Sequence, residues 1–251
     1  MRIRLKTRGD VRLFSVIVTL VALMGNIGLQ HLLLPAELHD RVAHASYIVT
    51  VILMAPFSFF IGQRMRDVHD LTNRLEYSVN HDVLTGACTR VSFYERATAL
   101  AGRPLVVIVT DIDHFKNVND RFGHKAGDDA LRQFTATLAR NCRAEDIIAR
   151  FGGEEFVILL EADGGAQGRA VAQRLGARVR ENPLILDGKR LHVTSSFGVA
   201  PVPSVARLDL AVHRADLALY RAKEGGRDRV CLYDPEKDGP GQNPADPPPA
   251  G

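Results

Sequence analysis

Two long stretches of the chain carry no charged side chain at all. No Asp, Glu, Lys or Arg occurs from Leu13 to Ala36, nor from Val42 to Gln63. A helix needs roughly 20 predominantly apolar residues to cross a bilayer, because every backbone polar group must be satisfied within the segment. Both runs are long enough. A cleaved signal peptide has an apolar region of only about 7–15 residues and a small-residue cleavage site. The first run is longer, shows no such site and is followed by the second, so both are read as membrane-spanning helices, at 13–34 and 43–62.

Charge sets their orientation. Arg2, Arg4, Lys6, Arg8 and Arg12 lie in the basic N-terminus, 1–12, while Arg64 and Arg66 follow the second run. The connecting segment 35–42 carries only Arg41 among basic Lys and Arg residues. Cytoplasmic flanks are enriched in Lys and Arg, which places both chain ends on the cytoplasmic side and leaves a short external loop. That loop is too small to hold an external sensory domain.

Segment 63–79 then steps apolar residues by three and four: Ile61, Met65, Val68, Leu75 and Val79, with Thr72 at the missing position. This heptad stripe suits a parallel helical pair. It equally suits one amphipathic helix lying on its own domain. In both cases it is a helical linker.

From Asn80 to Tyr233 strand and helix patterns alternate. "RPLVVIVTDID" has the β-branched composition of a fully buried strand, and "GDDALRQFTATLARNC" places Leu131, Phe134 and Leu138 on one helical face. Strands follow at "DIIARF" and "EFVILL", a helix at "GRAVAQRLGARVRENP", a strand at "LHVTSSFGVAP" and a helix at "LDLAVHRADLALYRAKEGG". The pattern is α/β (α+β) with a hairpin inside it. The tail, 234–251, is rich in Pro and Gly and is expected to be disordered. A net charge of +3 is too mild to argue for nucleic acid. The three cysteines, Cys88, Cys142 and Cys231, are scattered and fit a reducing compartment.

Chemistry concentrates in two places. The strand "LVVIVTDIDHFK" ends in Asp111 and Asp113, which alternation puts on one face. The hairpin "ARFGGEEFVILL" carries Gly152 and Gly153, expected to supply positive φ in the turn, followed by Glu154 and Glu155. Either segment alone reads equally as a strand-end cap or a polar turn. Together they offer several carboxylate oxygens with no histidine or thiolate, a donor set for Mg²⁺, which favours a few carboxylates plus substrate phosphates.

These residues resemble the GGDEF diguanylate cyclases, in the GGEEF form of the signature. The resemblance covers about Asn80 to Tyr233 and rests on five ordered blocks: "NHDVLTG", "DIDHFKNVNDRFGHKAGDDAL", "RFGGEEF", "SSFGVA" and "ADLALYRAKEGGRDRV". It implies a central, mostly antiparallel sheet flanked by helices, similar to polymerase palms. It implies condensation of two GTP into cyclic di-GMP with release of pyrophosphate, dependent on Mg²⁺ or Mn²⁺, by two such domains facing one another as a homodimer. By position Asp111, the Ile112 carbonyl, Glu154 and Glu155 are implied metal ligands, and Glu154, Glu155 and Lys116 the catalytic set. Asn119 and Asp128 match the guanine-reading pair, with His124 nearby. Lys223 and Arg227 match a triphosphate-binding pair, and Gly152 and Gly153 leave room for the nucleotide.

"RAED", Arg143 to Asp146, has the spacing of the family's RxxD inhibitory site for cyclic di-GMP, with Arg174 at the place of a second arginine. A solvated surface turn is the other reading of so short a motif. Three positions depart from the usual blocks. Ala87 and Thr89 are expected to alter local packing only, and Ser195 stands where an apolar residue is more usual. The whole reading is a two-pass cyclase of a bacterial cytoplasmic membrane with its catalytic domain in the cytoplasm. The alternatives are a catalytically silent module that binds GTP or cyclic di-GMP, and a structural membrane adaptor.

Overall fold

The computed structural model describes residues 7–33, 35–186 and 188–238, without the side chains of 36–41 and 73–76. Most of the predicted tail therefore lies outside the described residues, as does the start of the basic N-terminus. The chain divides into two units, Met1–Tyr77 and Ser78–Gly251.

The first unit is built from α1 (Arg8–Leu33) and most of α2 (Ala36–Asn80), both long and apolar enough to cross a membrane. The second apolar run and the linker predicted after it form one continuous helix of 45 residues. Their mutual packing is polar at its centre. Ser15 Oγ lies 2.9 Å from Ser58 Oγ, and the Asn26 side-chain amide donates to Ser46 Oγ at 2.8 Å and to Thr50 Oγ1. Most large apolar side chains of the two helices point outward, Leu20, Met24, Ile52 and Phe57 among them. This is the distribution expected when lipid is the solvent, since hydrocarbon makes no demand for apolar burial and interhelical hydrogen bonds supply the contact.

The second unit continues with β1 (Cys88–Thr89), α3 (Arg90–Ala97), β2 (Leu105–Ile112), α4 (Phe115–Phe122), α5 (His124–Asn141), β3 (Ile147–Gly152) and β4 (Glu155–Glu161). There follow α6 (Gly165–Glu181), a small hairpin of β5 (Leu184–Leu186) and β6 (Lys189–Leu191), β7 (Ser195–Val202), α7 (Leu208–Glu224) and β8 (Val230–Leu232). Six strands form one sheet in the order β1-β3-β4-β2-β7-β8. The β3–β4, β4–β2 and β2–β7 pairs are antiparallel, and only the outer pairs, β1–β3 and β7–β8, are parallel.

Strand alternation feeds two cores. Val106, Ile108, Phe156, Ile158, Phe197 and Val199 pack with Leu131, Phe134 and Leu138 of α5 and Leu175 of α6. Val107, Val109, Val157 and Leu159 pack on the opposite side with Phe93 of α3 and Ala211, Ala215 and Leu219 of α7. Sheets covered on both faces read as continuous apolar runs, which is why β2 shows no polar alternation. On β7, Gly198 lets α7 approach closely: a Cβ there would sit 1.9 Å from the Ala215 carbonyl oxygen. The close seat of α7 brings its C-terminal end to the end of β2.

Thr89, one of the departures noted above, caps α3 by accepting from the Ser92 N–H at 3.2 Å and donates its hydroxyl to the Val79 carbonyl at 2.6 Å. Ala87 is buried in the first core.

Candidate active site

Asp111 stands at the end of the central strand, opposite Glu155 of β4 and Ser196 of β7. It is 5% exposed, and the Lys223 ammonium, from the last turn of α7, lies 2.9 Å from its Oδ2. Burial pushes the Asp111 carboxyl up to about 6; the hydrogen bond and charge of Lys223 oppose this, and the charges of Glu154 and Glu155 reinforce it. Three carboxylates thus share one neighbourhood with one ammonium.

The hairpin that delivers the glutamates is irregular. The β3–β4 register shifts between Arg150 and Gly152, and a bulge at such a point re-aims the residues after it. Of the two glycines expected to adopt positive φ, Gly153 does, at 41°, and Gly152 does not. The Arg150 guanidinium holds the turn by donating Nε–H and Nη2–H to the Gly153 carbonyl at 2.9 and 2.7 Å. Its Nη1 donates to Asp82 Oδ1 at 3.0 Å, joining the hairpin to the "HDVLTG" turn. Burial raises the Asp82 carboxyl, but hydrogen bonds from Thr85 and Arg150 outweigh this and hold it below the usual range. Asp82 and Arg150 both stood in the blocks carrying the resemblance, yet their mutual reach is a tertiary fact. An arginine two residues before a Gly-Gly turn was the available signal.

Asp113 differs from the sequence expectation. It does not offer a free carboxylate beside Asp111, for its oxygens accept from Ser196 Oγ and Thr194 Oγ1, each at 2.7 Å, and from the Asp228 N–H at 3.0 Å. Ser195, at a position where an apolar residue is more usual, is buried and donates to the Asp111 carbonyl at 2.7 Å. Its hydroxyl also lies 2.7 Å from Thr110 Oγ1.

The other implied residues fall into two groups. Lys116 is exposed on α4, and His124 and Asp128 are exposed at the start of α5. Asn119 lies against the neighbour of Asp128, since a Cβ on Gly127 would come 1.9 Å from Asn119 Oδ1. Arg143 and Asp146 bracket the α5–β3 turn, where Asp146 Oδ2 accepts from the Arg143 N–H at 2.7 Å. Burial raises the Asp146 carboxyl, while the Arg143 N–H and the charges of Arg143 and Arg174 pull it back. Arg174 also donates to the Asn141 carbonyl at 3.0 Å.

The family model described as "Diguanylate cyclase, GGDEF domain" matches residues 79–229, which contain every one of these side chains. The chain belongs to the GGDEF family.

Among curated relatives, diguanylate cyclase DgcP of Pseudomonas aeruginosa is 42% identical over 155 residues, 59% of this chain and 23% of that protein. The response regulator PleD of Caulobacter vibrioides is 38% identical over 181 residues, 67% of this chain and 40% of that protein. The chain thus spans well under two thirds of either. The solved coiled coil and GGDEF domain of DgcB from Caulobacter crescentus, in complex with c-di-GMP, matches at TM-score 0.58 and 26% identity, covering 68% of this chain and 96% of that one. The mixed sheet flanked by helices is the fold of this family's domain.

In this GGDEF domain no three acidic, histidine or cysteine side chains among the described residues converge on a ready-made metal cage. The donor set still fits a hard cation. The charges of Glu154 and Glu155 both bear on Asp111 against that of Lys223, and Ile112, the next residue of β2, could add only its backbone carbonyl. Mg²⁺ is held by a few carboxylates together with substrate phosphates, so an open, partial set is what its chemistry asks for.

Proposed function

We propose that the chain is a membrane-anchored diguanylate cyclase that joins two GTP into cyclic di-GMP and releases two pyrophosphates. The observation that carries this reading is the Asp111–Lys223 pair with the charges of Glu154 and Glu155 bearing on it, at the end of the fully buried strand β2.

The 3′-hydroxyl of one GTP attacks the α-phosphorus of the other. A P–O bond forms, the bond to pyrophosphate breaks, and the same step repeated closes the ring. Asp111, the Ile112 carbonyl, Glu154 and Glu155 would hold Mg²⁺ (or Mn²⁺), which would supply positive charge against the phosphates and lower the pKa of the attacking hydroxyl. Glu154, on the turn, receives that proton or helps to hold the metal. Lys223, Arg227 and Lys116 bind the triphosphate, and Asn119 and Asp128, with His124 alongside, read guanine. A carboxylate accepts from the N1–H and exocyclic amine of guanine, a pair of donors that adenine does not present. The exposed Gly152 and Gly153 keep side chains out of the nucleotide's way.

Each domain holds one GTP, so the reaction needs two copies face to face. Met65, Val68 and Val79 lie exposed along α2, which supports pairing of this helix with its counterpart in a second copy. The apolar surfaces of α1 and α2 and the basic flanks support a two-pass anchor in the bacterial cytoplasmic membrane with the catalytic domain in the cytoplasm. Arg143, Asp146 and Arg174 form the product-binding inhibitory site, where planar guanidinium groups suit phosphate and guanine edges. Incubating the detergent-solubilised chain with GTP and Mg²⁺ and assaying for cyclic di-GMP tests the reading. A catalytically silent GTP-binding module would bind nucleotide and yield no product.

A further inference from the structure

The segment joining α7 to β8 has an unusual backbone. Helix α7 ends in a Schellman motif: the Arg227 N–H donates to the Ala222 carbonyl at 3.0 Å and the Gly226 N–H to the Lys223 carbonyl at 3.3 Å, with Gly226 at φ 108°. Ordinarily the chain leaves the left-handed region after that glycine. Here Arg227 and Asp228 follow it at φ 61° and 48°. Two successive L-residues in that region are disfavoured by the contact of Cβ with the following carbonyl, and such a conformation persists only where its surroundings over-determine it.

What over-determines it is Asp113. One oxygen of this carboxylate, Oδ2, accepts the Asp228 N–H at 3.0 Å and the Thr194 hydroxyl at 2.7 Å, and the other, Oδ1, accepts the Ser196 hydroxyl at 2.7 Å. The Asp113 N–H in turn donates to the Thr194 carbonyl at 2.9 Å. The carboxylate is 5% exposed, so its three donors act in a site that water hardly enters. A second tie holds the same residue from outside, where the Asp228 carboxylate pairs with Arg180 of α6. The strained pair is therefore pinned at its backbone by the residue two places after Asp111. The ties run to the loop that carries Arg227 and follows directly from Lys223.

We propose that Asp113 is a positioning residue: it fixes the Gly225–Arg229 loop so that Arg227 and Lys223 are presented together to the triphosphate, and it does not ligate metal. The proposal rests on the cyclase reading for what the loop binds, but not for how the loop is held.

The test uses the full chain in detergent, with Asp113→Ala and Asp113→Asn, and two readouts. Amide hydrogen exchange is measured without nucleotide. In Asp113→Ala the Asp228 amide should exchange at least about tenfold faster while the β2 amides stay protected, because only the local tie is lost. Kinetics with GTP should show KM raised about tenfold and kcat within about threefold of wild type. Asn at this position keeps an oxygen for the Asp228 N–H, and its amide can donate to the Ser196 or Thr194 hydroxyl oxygen. It should restore both readouts and leave the Mg²⁺ requirement in place.

Unchanged exchange at Asp228 in Asp113→Ala would overturn the proposal. So would β2 amides accelerating equally, which marks a general loss of structure. A Mg²⁺ half-saturation raised more than about tenfold in Asp113→Asn would make the residue a metal ligand instead, because the carboxylate charge is what that change removes. If the wild-type chain makes no cyclic di-GMP, the cyclase reading fails, and the exchange arm still decides whether Asp113 holds the loop.

Discussion

Lys223 Nζ lies 2.9 Å from Asp111 Oδ2, joining the end of the last long helix to the end of the central strand. The pair depends on two distant features of the sequence, the seat that Gly198 makes for α7 and the all-apolar run that buries β2. It sets the charge balance of the site, since Lys223 is the cation opposing burial and the two glutamates at Asp111. Lys223→Ala should raise the GTP KM by about tenfold or more, by removing a charge-assisted contact to the triphosphate. Asp111 would lose its neutralising partner in the same change, and its carboxyl would rise further. Steady-state kinetics across GTP concentration check this; an unaltered KM would remove Lys223 from the substrate site.

Asp82 ties the start of the domain to the catalytic turn through Arg150. Its carboxyl is held below the ordinary 3.8, so the folded state favours the charged form. That stability is fully present above the unfolded value and is lost as pH falls below it. Asp82→Asn should cost about 1.5–3 kcal/mol near neutral pH, the range for hydrogen bonds to charged groups. The gap between variant and wild type should hold steady above about pH 5 and narrow as the solution is made more acidic than the ordinary carboxylate value. Urea unfolding at several pH values reads this directly, and a gap that widens with acid would contradict it.

Asp128 is exposed at the start of α5 and Asn119 lies against its neighbour Gly127. Asp128→Ala should weaken the preference for GTP over ATP more than it weakens the response to Mg²⁺. A site built to hydrogen-bond a base discriminates by leaving its own polar groups unpaired with the wrong one. Nucleotide competition measures the ratio, and an unchanged ratio would detach Asp128 from guanine.

The Arg143 N–H donates to Asp146 Oδ2, and the charges of Arg143 and Arg174 both bear on that carboxylate, on the turn that leads into the β3–β4 hairpin. Arg143→Ala should reduce sensitivity to added cyclic di-GMP by about tenfold or more, each enzyme being compared with its own uninhibited rate. A product held there must favour the unproductive arrangement of domains, because a ligand that binds both arrangements equally shifts nothing. Equal sensitivity in the two enzymes would make "RAED" a solvated turn.

Much of this was readable from residue order because local chemistry repeats the fold's demands. The run "LVVIVTDI" can only be a buried strand, and two glutamates after a Gly-Gly turn have few uses at a sheet edge. Four things were not readable, and three of them are matters of tertiary reach. Asp113 looks like a partner of Asp111 by alternation, yet its carboxylate is consumed by Thr194, Ser196 and the Asp228 N–H, residues at least 81 positions away. Arg150 reads as a strand residue, and only the folded hairpin shows its guanidinium on the Gly153 carbonyl. Ser195 reads as a polar intrusion, and its buried hydroxyl turns out to brace the Asp111 backbone. The continuous α2 was likewise hidden, because charge separates the apolar run from the linker in sequence while helical geometry joins them.

The central claim is that this carboxylate cluster supports guanylyl transfer between two GTP. The most direct measurement is cyclic di-GMP formed from GTP and Mg²⁺ by the full chain and by Glu154→Gln, with folding of the variant checked by circular dichroism. The account predicts product from the wild type and a rate lower by about 10² or more in the variant, the usual cost of losing a positioned acid–base group or metal ligand. No product from well-folded wild-type protein, or near-wild-type turnover by Glu154→Gln, would contradict it.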